Sequence, residues 1–304
     1  MTSPALILMA YGSPDRLADV PDYYADIRGG RPVAPAHLDD LVARYRALGI
    51  DDSAAPSPLN AITEDTRGAL ERSLGIPVLT GMRHWDPRIA TAVEGALERG
   101  HDTLVGLVLA PHWSSLSIAR YESLFDEAVA GRAETRFVRE WSSDPAFVDL
   151  LSRRLRGVRA AGLSDAHVVF TAHSLPARIL DTGDTYSEAL LETSRLVAEA
   201  AGIGERDWSF AFQSESPTGE PWLGPDILEH LAALRDDGVS AVVACPVGFV
   251  SDHLEIRWDL DVEAAERARE IGLGFARIEM PNAAPDMIEA LAGIVRRELA
   301  AVAS

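Results

Sequence analysis

The sequence predicts an α/β fold made of two Rossmann-like halves, each a four-stranded parallel sheet flanked by helices, with a cleft between them. Three observations support this prediction: eight short apolar runs, the amphipathic stretches that separate them, and a partial repeat between the two halves. The apolar runs are nearly unbroken rather than alternating, which is typical of parallel strands buried on both faces.

The predicted strands fall four to each half. In order they are residues 5–10, 77–80, 103–110 and 135–138, then 167–172, 208–213, 240–245 and 274–279. Segments with helical periodicity lie between them, at residues 87–99, 145–159, 187–201, 225–237 and 284–303. Strands that alternate with helices indicate a doubly wound design, in which crossover helices cover a parallel sheet.

A partial internal repeat relates the halves. The segment ALILMAYGSP (5–14) aligns with HVVFTAHSLP (167–176), and each is an apolar run followed by a turn that ends in proline. Pro87 and Pro225 each begin a helical segment that reaches a glycine thirteen residues later. A repeat of this kind predicts two supersecondary units with the same connectivity.

This repeat predicts that Tyr11 and His173 occupy equivalent strand ends. It also gives the expected domains, 1–143 and 144–304, with no flexible linker between them. We expect the last helix to pack back on the first domain.

Composition excludes several classes of function. The 304 residues include 28 basic and 47 acidic side chains, for a formal charge of −19. Such a chain repels phosphate backbones and anionic lipid headgroups, so neither nucleic acid nor a membrane is an expected partner. Cys245 is the only cysteine, which excludes an internal disulfide and a cluster held by several thiolates, and suits a reducing compartment. The first apolar run is too short for a signal sequence or a membrane span, so a cytoplasmic location is expected.

Ligands of doubly wound sheets bind beyond the carboxyl ends of the strands. The polar residues at these positions are Tyr11, His112, His173 and the segment 248–255. The sequence contains no GxGxxG, P-loop or GxSxG motif, so nucleotide binding and a serine nucleophile both lose support.

Three other residues are expected to be structural. His84 and His112 each stand alone in the sequence, and a lone histidine is usually hydrogen-bonded within the fold. Trp222 is expected to be an anchor in the core or between the domains.

A line of acids follows the last of these segments. Glu255, Asp259 and Glu263 are spaced at i, i+4 and i+8, which places three carboxylates on one face of a helix. The residues alone leave two interpretations open: a solvated acidic face, or a divalent-metal site that also uses His173. Imidazole with carboxylate suits iron, cobalt or zinc better than calcium.

Arginine and tyrosine occur together near the N-terminus, in YYADIR (23–28) and in the pair Arg44–Tyr45. Guanidinium groups bind carboxylates and stack on rings, so the combination predicts a flat aromatic ligand that carries carboxylates. The alternative is surface arginines paired with neighbouring aspartates.

Nine motifs spread over essentially the whole chain form a set. They are LILMAYGSP, YYADIRGGRP, SPLNAIT, GMRHWDP, LAPHWSSLS, TAHSLP, FQSE…PWLGPD, PVGFVSDHLE and EMPNAAPDMIEAL. Together they resemble the ferrochelatase family, in particular its coproporphyrin ferrochelatases from Gram-positive-type bacteria. The most specific feature is TAHSLP followed about 75 residues later by GFVSDHLE.

The resemblance implies chelatase-type domains with the active-site cleft between them, and insertion of Fe²⁺ into a porphyrin without an organic cofactor. The family's catalytic, metal-facing histidine and glutamate fall on His173 and Glu255. Its line of acids, a secondary path for cations or protons, falls on Asp259 and Glu263.

The resemblance also implies the substrate-binding positions. Residues on the opposite face of the porphyrin fall on Tyr11 and Arg28, and propionate-binding positions fall on Arg44, Tyr45, Ser57 and Tyr121. The chain departs from close relatives at Gly29, where a basic residue is common, and in a longer loop before Ser57. Some members hold a [2Fe–2S] cluster through several cysteines, which this chain lacks.

The function that the resemblance implies is insertion of Fe²⁺ into coproporphyrin III, giving coproheme, in bacterial haem biosynthesis. The alternatives are a protoporphyrin IX ferrochelatase, a cobalt chelatase, or a non-catalytic carrier of tetrapyrrole or metal. A monomer is expected, with porphyrin and Fe²⁺ as partners, transient contacts with neighbouring haem-pathway enzymes, and room for an accessory divalent cation. The division of roles between His173 and Glu255 stays open.

Overall fold

The computed structural model describes residues 3–31, 33–52, 55–216 and 218–301. It contains two four-stranded parallel sheets, with strand orders β2-β1-β3-β4 and β6-β5-β7-β8. The strands are Pro4–Ala10 (β1), Val78–Met82 (β2), Thr103–Val108 (β3), Glu134–Val138 (β4), His167–His173 (β5), Trp208–Gln213 (β6), Ala241–Cys245 (β7) and Gly274–Arg277 (β8).

All eight predicted strands are present, and their ends differ from the prediction by no more than two residues. The central strands confirm the reason for the prediction, since the apolar run of β1 is almost fully buried along residues 5–10. The two sheets have the same strand order, so β1 corresponds to β5. The predicted α/β fold of two parallel sheets is confirmed.

Helices cover the faces of both sheets. They are Val20–Ile27 (α1), Pro35–Ala47 (α2), Pro58–Leu74 (α3), Ile89–Glu98 (α4), Ile118–Val129 (α5), Pro145–Ala160 (α6), Tyr186–Ala201 (α7), Ile227–Asp236 (α8), Leu254–Arg257 (α9), Ala265–Glu270 (α10) and Pro285–Ala300 (α11). The five helical segments predicted by periodicity correspond to α4, α6, α7, α8 and α11. The last predicted segment extended to residue 303, and residues 302–303 lie outside the described part of the chain.

The acidic segment is not one α-helix. Between α9 and α10 lies a π-helical segment, Asp259–Ala264. The carbonyl of Trp258 accepts hydrogen bonds from the amides of both Val262 (3.1 Å) and Glu263 (2.9 Å). The second bond spans five residues, which is the π-helical pattern. A side-chain hydrogen bond spans the same five residues, since the Trp258 indole N–H donates to Glu263 Oε1 at 2.8 Å.

The two halves share one hydrophobic core. One cluster contains Leu6 and Leu107 of the first sheet and Val168 and Val243 of the second. The helix α11 packs against α3, β3 and β4 of the first half and against α6 of the second. The division into residues 1–143 and 144–304 stays a prediction.

Two further contacts hold α11 in this position. The Arg296 guanidinium donates to the Ser73 carbonyl at 2.8 Å, and Arg297 pairs with Asp144 at the start of α6. No helix within the described ranges is both long and apolar enough to cross a membrane.

Candidate active site

The carboxyl ends of the strands carry the polar residues that the sequence analysis singled out. Tyr11 follows β1 directly, and His173 is the last residue of β5. Because β1 and β5 have the same place in their sheets, these two residues do occupy equivalent strand ends. The internal repeat is therefore reproduced in three dimensions.

His173, Glu255 and His253 form one cluster. His173 Nε2 lies 3.5 Å from Glu255 Oε1, and His253 Nε2 lies 3.1 Å from Glu255 Oε2. The two Nδ1 atoms face backbone carbonyls, that of Ser174 for His173 and that of Ser251 for His253. A carbonyl oxygen only accepts hydrogen bonds, so each Nδ1 carries a proton and each Nε2 is directed to the carboxylate.

This cluster is strongly polarised. Burial lowers the pKa of His173, but the charge of Glu255 and the Ser174 carbonyl raise it to about 9. Burial raises the pKa of Glu255, but His173 and His253 outweigh it and hold that pKa well below its ordinary value. Near neutral pH the metal-free site therefore holds an imidazolium beside a carboxylate, and a metal that binds His173 Nε2 displaces a proton.

Asp259 and Glu263 extend this cluster outward. Asp259 is 7% exposed and accepts a hydrogen bond from the Ser214 hydroxyl. Burial, followed by the negative charges of Glu255 and Glu263, raises the pKa of Asp259 to about 7. A carboxyl group with this pKa exchanges protons readily near neutral pH.

The first half contributes aromatic and basic groups. The ring centroids of Tyr11 and His84 are 4.5 Å apart, and the Arg83 guanidinium lies 5.5 Å from the centre of the Tyr121 ring. Tyr11 is 40% exposed, yet its surroundings desolvate the hydroxyl, and this desolvation and the charge of Glu255 raise its pKa. Desolvation and Glu255 also raise the pKa of Tyr121. Both phenols are therefore within the electrostatic reach of the second half's carboxylate.

The other predicted substrate-binding residues differ in accessibility. Tyr45 is 4% exposed and Ser57 is 2% exposed. The Ser57 hydroxyl caps α3 by accepting a hydrogen bond from the Asn60 amide at 3.4 Å. The Nε atom of Arg28 is buried and has no hydrogen-bond partner. These residues stay predicted ligands of the substrate.

Arg44 forms ion pairs with two acidic side chains. Its guanidinium lies 2.9 Å from Asp40 and 3.6 Å from Glu263, and it stacks 5.4 Å from the Trp258 ring centre. The predicted propionate ligand thus stands at the outer end of the acidic line. A substrate carboxylate that binds Arg44 has to compete with these two acids.

Two of the three residues expected to be structural lie where they were predicted, and the third borders the site. His84 Nδ1 lies 2.8 Å from Asp26 Oδ2, and His112 Nε2 lies 2.9 Å from Thr193 Oγ1, so both are hydrogen-bonded as predicted. Trp222 is not in the core: its ring is half-buried and lies 6.3 Å from that of His173. It borders the site because a bridge to Pro176 holds the Trp222 backbone beside β5.

His253 was predicted only as part of the segment 248–255 and without a role of its own, and Arg83 was not predicted. His253 stands two residues before Glu255 in GFVSDHLE, and Arg83 directly follows β2. Their positions at strand ends were the available signal. Within the described ranges, no three His, Cys, Asp or Glu side chains are arranged to hold a metal ion.

Comparisons with known proteins identify the family. A family model described as Ferrochelatase matches residues 3–299. The Ferrochelatase of Deinococcus radiodurans is 39% identical, over 98% of this chain and 96% of that protein. The Coproporphyrin III ferrochelatase of Bacillus subtilis is 37% identical, over 97% of each chain.

Solved structures support the fold. SirB from Bacillus subtilis with Fe³⁺ superposes with a TM-score of 0.60 at 12% identity, covering 98% of this chain and 96% of that one. CbiX, from siroheme biosynthesis in denitrifying bacteria, gives a TM-score of 0.53 at 15% identity, over 96% of this chain and 98% of that one. At these identities the likeness concerns the fold alone.

Two parallel α/β halves with an imidazole–carboxylate pair at their strand ends define a two-domain metal chelatase. The chain belongs to the ferrochelatase family. Members of this family act on Fe²⁺ and a porphyrin, so iron is a substrate of the reaction.

Proposed function

We propose that this enzyme inserts Fe²⁺ into coproporphyrin III to give coproheme. The observation that carries the proposal is the His173–Glu255 pair, together with Tyr11, Arg83 and Tyr121 of the first half, which we call the first-half wall. Support for the choice of porphyrin comes from relatives named coproporphyrin III ferrochelatase at 36–38% identity. The arginines near the cleft also favour a porphyrin rich in carboxylates.

The reaction has to remove two pyrrole protons and the water that surrounds Fe²⁺. We assign the metal to His173, since its Nε2 is the ring nitrogen left for a ligand once Nδ1 donates to the Ser174 carbonyl. We assign a pyrrole proton to Glu255, whose carboxylate is ionised before the substrate binds. Asp259, with its pKa near 7, then passes protons outward. The iron–nitrogen bonds replace two N–H bonds, and two protons leave.

We assign a different role, that of holding the porphyrin, to residues of the first half. The Tyr11 hydroxyl keeps its proton because its pKa is raised, so Tyr11 presents a neutral ring to the porphyrin face. The Nε atom of Arg28 is buried without a hydrogen-bond partner, and the Cζ atom of its guanidinium lies 5.9 Å from the Tyr24 ring centre. We propose that Tyr11 and Arg28 hold the macrocycle in a bent form that exposes its nitrogen lone pairs.

The test is an iron-insertion assay with coproporphyrin III and protoporphyrin IX side by side. We expect kcat/KM for coproporphyrin III to be at least about tenfold higher, which is the effect of roughly one extra charge-assisted contact. A preference for protoporphyrin IX would instead make this chain a protoporphyrin ferrochelatase.

A further inference from the structure

Three arginines are unusual in this chain. All 28 basic residues are arginine, against 47 acidic residues. Among the half-buried arginines of the described ranges, only Arg28, Arg83 and Arg257 have neither a side-chain hydrogen bond nor an ion pair. Desolvating an unpaired guanidinium is unfavourable. Since acids are abundant, the fold itself does not explain why these three lack one.

Arg83 lies on the first-half wall of the cleft. It directly follows β2, at the same sheet edge as Tyr11, and its guanidinium stacks on Tyr121. Its positive charge lowers the pKa of both Tyr11 and His84, so it acts on these two side chains. This cation–π contact with Tyr121 leaves the guanidinium N–H groups available to a ligand.

Arg257 lies at the other side, where the two halves meet. It is the last residue of α9, and it lines a cavity of about 20 Å³ together with Ser13, Tyr45 and His253. Arg257 is two residues after Glu255, and residues at i and i+2 of a helix do not share a face. It is therefore directed to the Tyr45 side and away from the His173–Glu255 pair.

We propose that Arg83 and Arg257 each bind a carboxylate of the substrate, as specificity-determining residues beside Arg28. This inference rests on the proposed function, because coproporphyrin III carries four propionates around its rim. Guanidinium and carboxylate form paired, charge-assisted hydrogen bonds. The substrate carboxylates would supply the hydrogen-bond acceptors that these arginines lack among the described residues of the protein.

The experiment measures binding of metal-free coproporphyrin III and of its uncharged tetramethyl ester in one detergent-containing buffer. The variants are Arg83→Met and Arg257→Met, which keep an unbranched side chain. The control is Arg206→Met, because Arg206 is exposed and precedes β6 at the opposite sheet edge. It makes the same change in net charge far from the cleft.

We expect each cleft variant to weaken acid binding roughly 10- to 100-fold and ester binding less than about twofold. The control should leave both unchanged. The inference is overturned if either cleft variant matches the control, or if it loses acid and ester binding equally. Equal melting temperatures of the variants show that the fold is kept.

The choice of substrate is decided separately, in the wild-type enzyme. A wild type that prefers protoporphyrin IX overturns the proposed substrate. The acid-to-ester ratio of each variant, measured again with protoporphyrin IX and its dimethyl ester, then still decides whether the two arginines bind carboxylates.

Discussion

The two halves have the same sheet order but carry different chemistry beyond the carboxyl ends of their strands. In the first half, β1 and β2 lead into Tyr11 and Arg83; in the second, β5 ends at His173, and Glu255 follows β7 on α9. The first half thus presents a phenol and a guanidinium at its sheet edge, and the second presents an imidazole and a carboxylate at its own. We infer that the repeated scaffold divides two tasks: the first half orients a flat anionic substrate, and the second handles metal and protons.

The halves also differ in how firmly these side chains are held. The Thr171 hydroxyl donates to Gln213 Oε1 at 2.9 Å, and Gln213 Nε2 donates to the Glu255 carbonyl at 2.8 Å. Among the described residues, the Tyr11 hydroxyl has no hydrogen-bond partner. The backbone that carries Glu255 is therefore held in place, whereas the Tyr11 hydroxyl is free to bind a substrate.

The largest effect is expected at His173. We expect His173→Ala to reduce iron insertion to background, because the metal loses its imidazole ligand, while porphyrin affinity changes less than about threefold. The side chain is 30% exposed at a strand end, so thermal unfolding should be nearly unchanged. Steady-state turnover with porphyrin binding by fluorescence checks both parts. Near-normal turnover would contradict the assignment of the metal to the second half.

The next largest effect is expected at Glu255. Glu255→Gln keeps the shape and removes the charge, and we expect kcat to fall at least ~100-fold, the scale of a positioned proton-transfer group. The pKa of His173 should also fall from about 9, since the Glu255 charge raises it. NMR titration of the histidine measures this shift. A large loss of porphyrin binding would show that Glu255 is structural.

The junction of the halves provides a test of stability. His112 is 3% exposed and bonds to Thr193 of the other half, and burial lowers its pKa to about 3. Between pH 3 and 6.5 the unfolded chain binds a proton that the folded state excludes, so stability falls as pH drops. Lowering the pH from 7 to 5 should cost about 2 kcal/mol through this group.

Urea unfolding at the two pH values measures the effect. His112→Gln keeps an N–H donor for Thr193 and should reduce the loss of stability at pH 5 by most of that amount. An equal loss in variant and wild type would mean that His112 is protonated in the folded state.

The smallest effect is expected at Arg44. Because Asp40 and Glu263 already hold its guanidinium, we expect Arg44→Ala to weaken coproporphyrin III binding only about tenfold, near the lower limit for a charged hydrogen bond. Protoporphyrin IX, with two fewer propionates, should lose less. Arg46→Ala, an exposed position on the same helix, is the control in the fluorescence titration. Equal losses for both porphyrins would show that Arg44 binds only shared propionates or stabilises the fold.

The sheets were predicted from local patterns, and the pair of His173 and Glu255 from their strand-end positions together with the family resemblance. Unbroken apolar runs indicate buried parallel strands, and chain topology then brings His173 and Glu255 to one edge. The π-helical turn was missed because acids spaced by four residues also fit an α-helix, and the indole bond from Trp258 to Glu263 is visible only in three dimensions. Arg83 and Arg257 were missed for a related reason, since lacking a partner is a property of the folded chain.

The position of α11 has a mechanical consequence. The chain crosses between the halves once, after β4, and α11 then spans the junction by packing on α3 and α6. Hinge closure rotates two bodies about a few residues. The chain crossing after β4 and the helix α11 both join the halves, so we expect them to resist such a rotation and to allow only small sliding of one half against the other. We infer that the molecule is stiff along this seam, so a planar substrate binds between two halves whose relative position hardly changes.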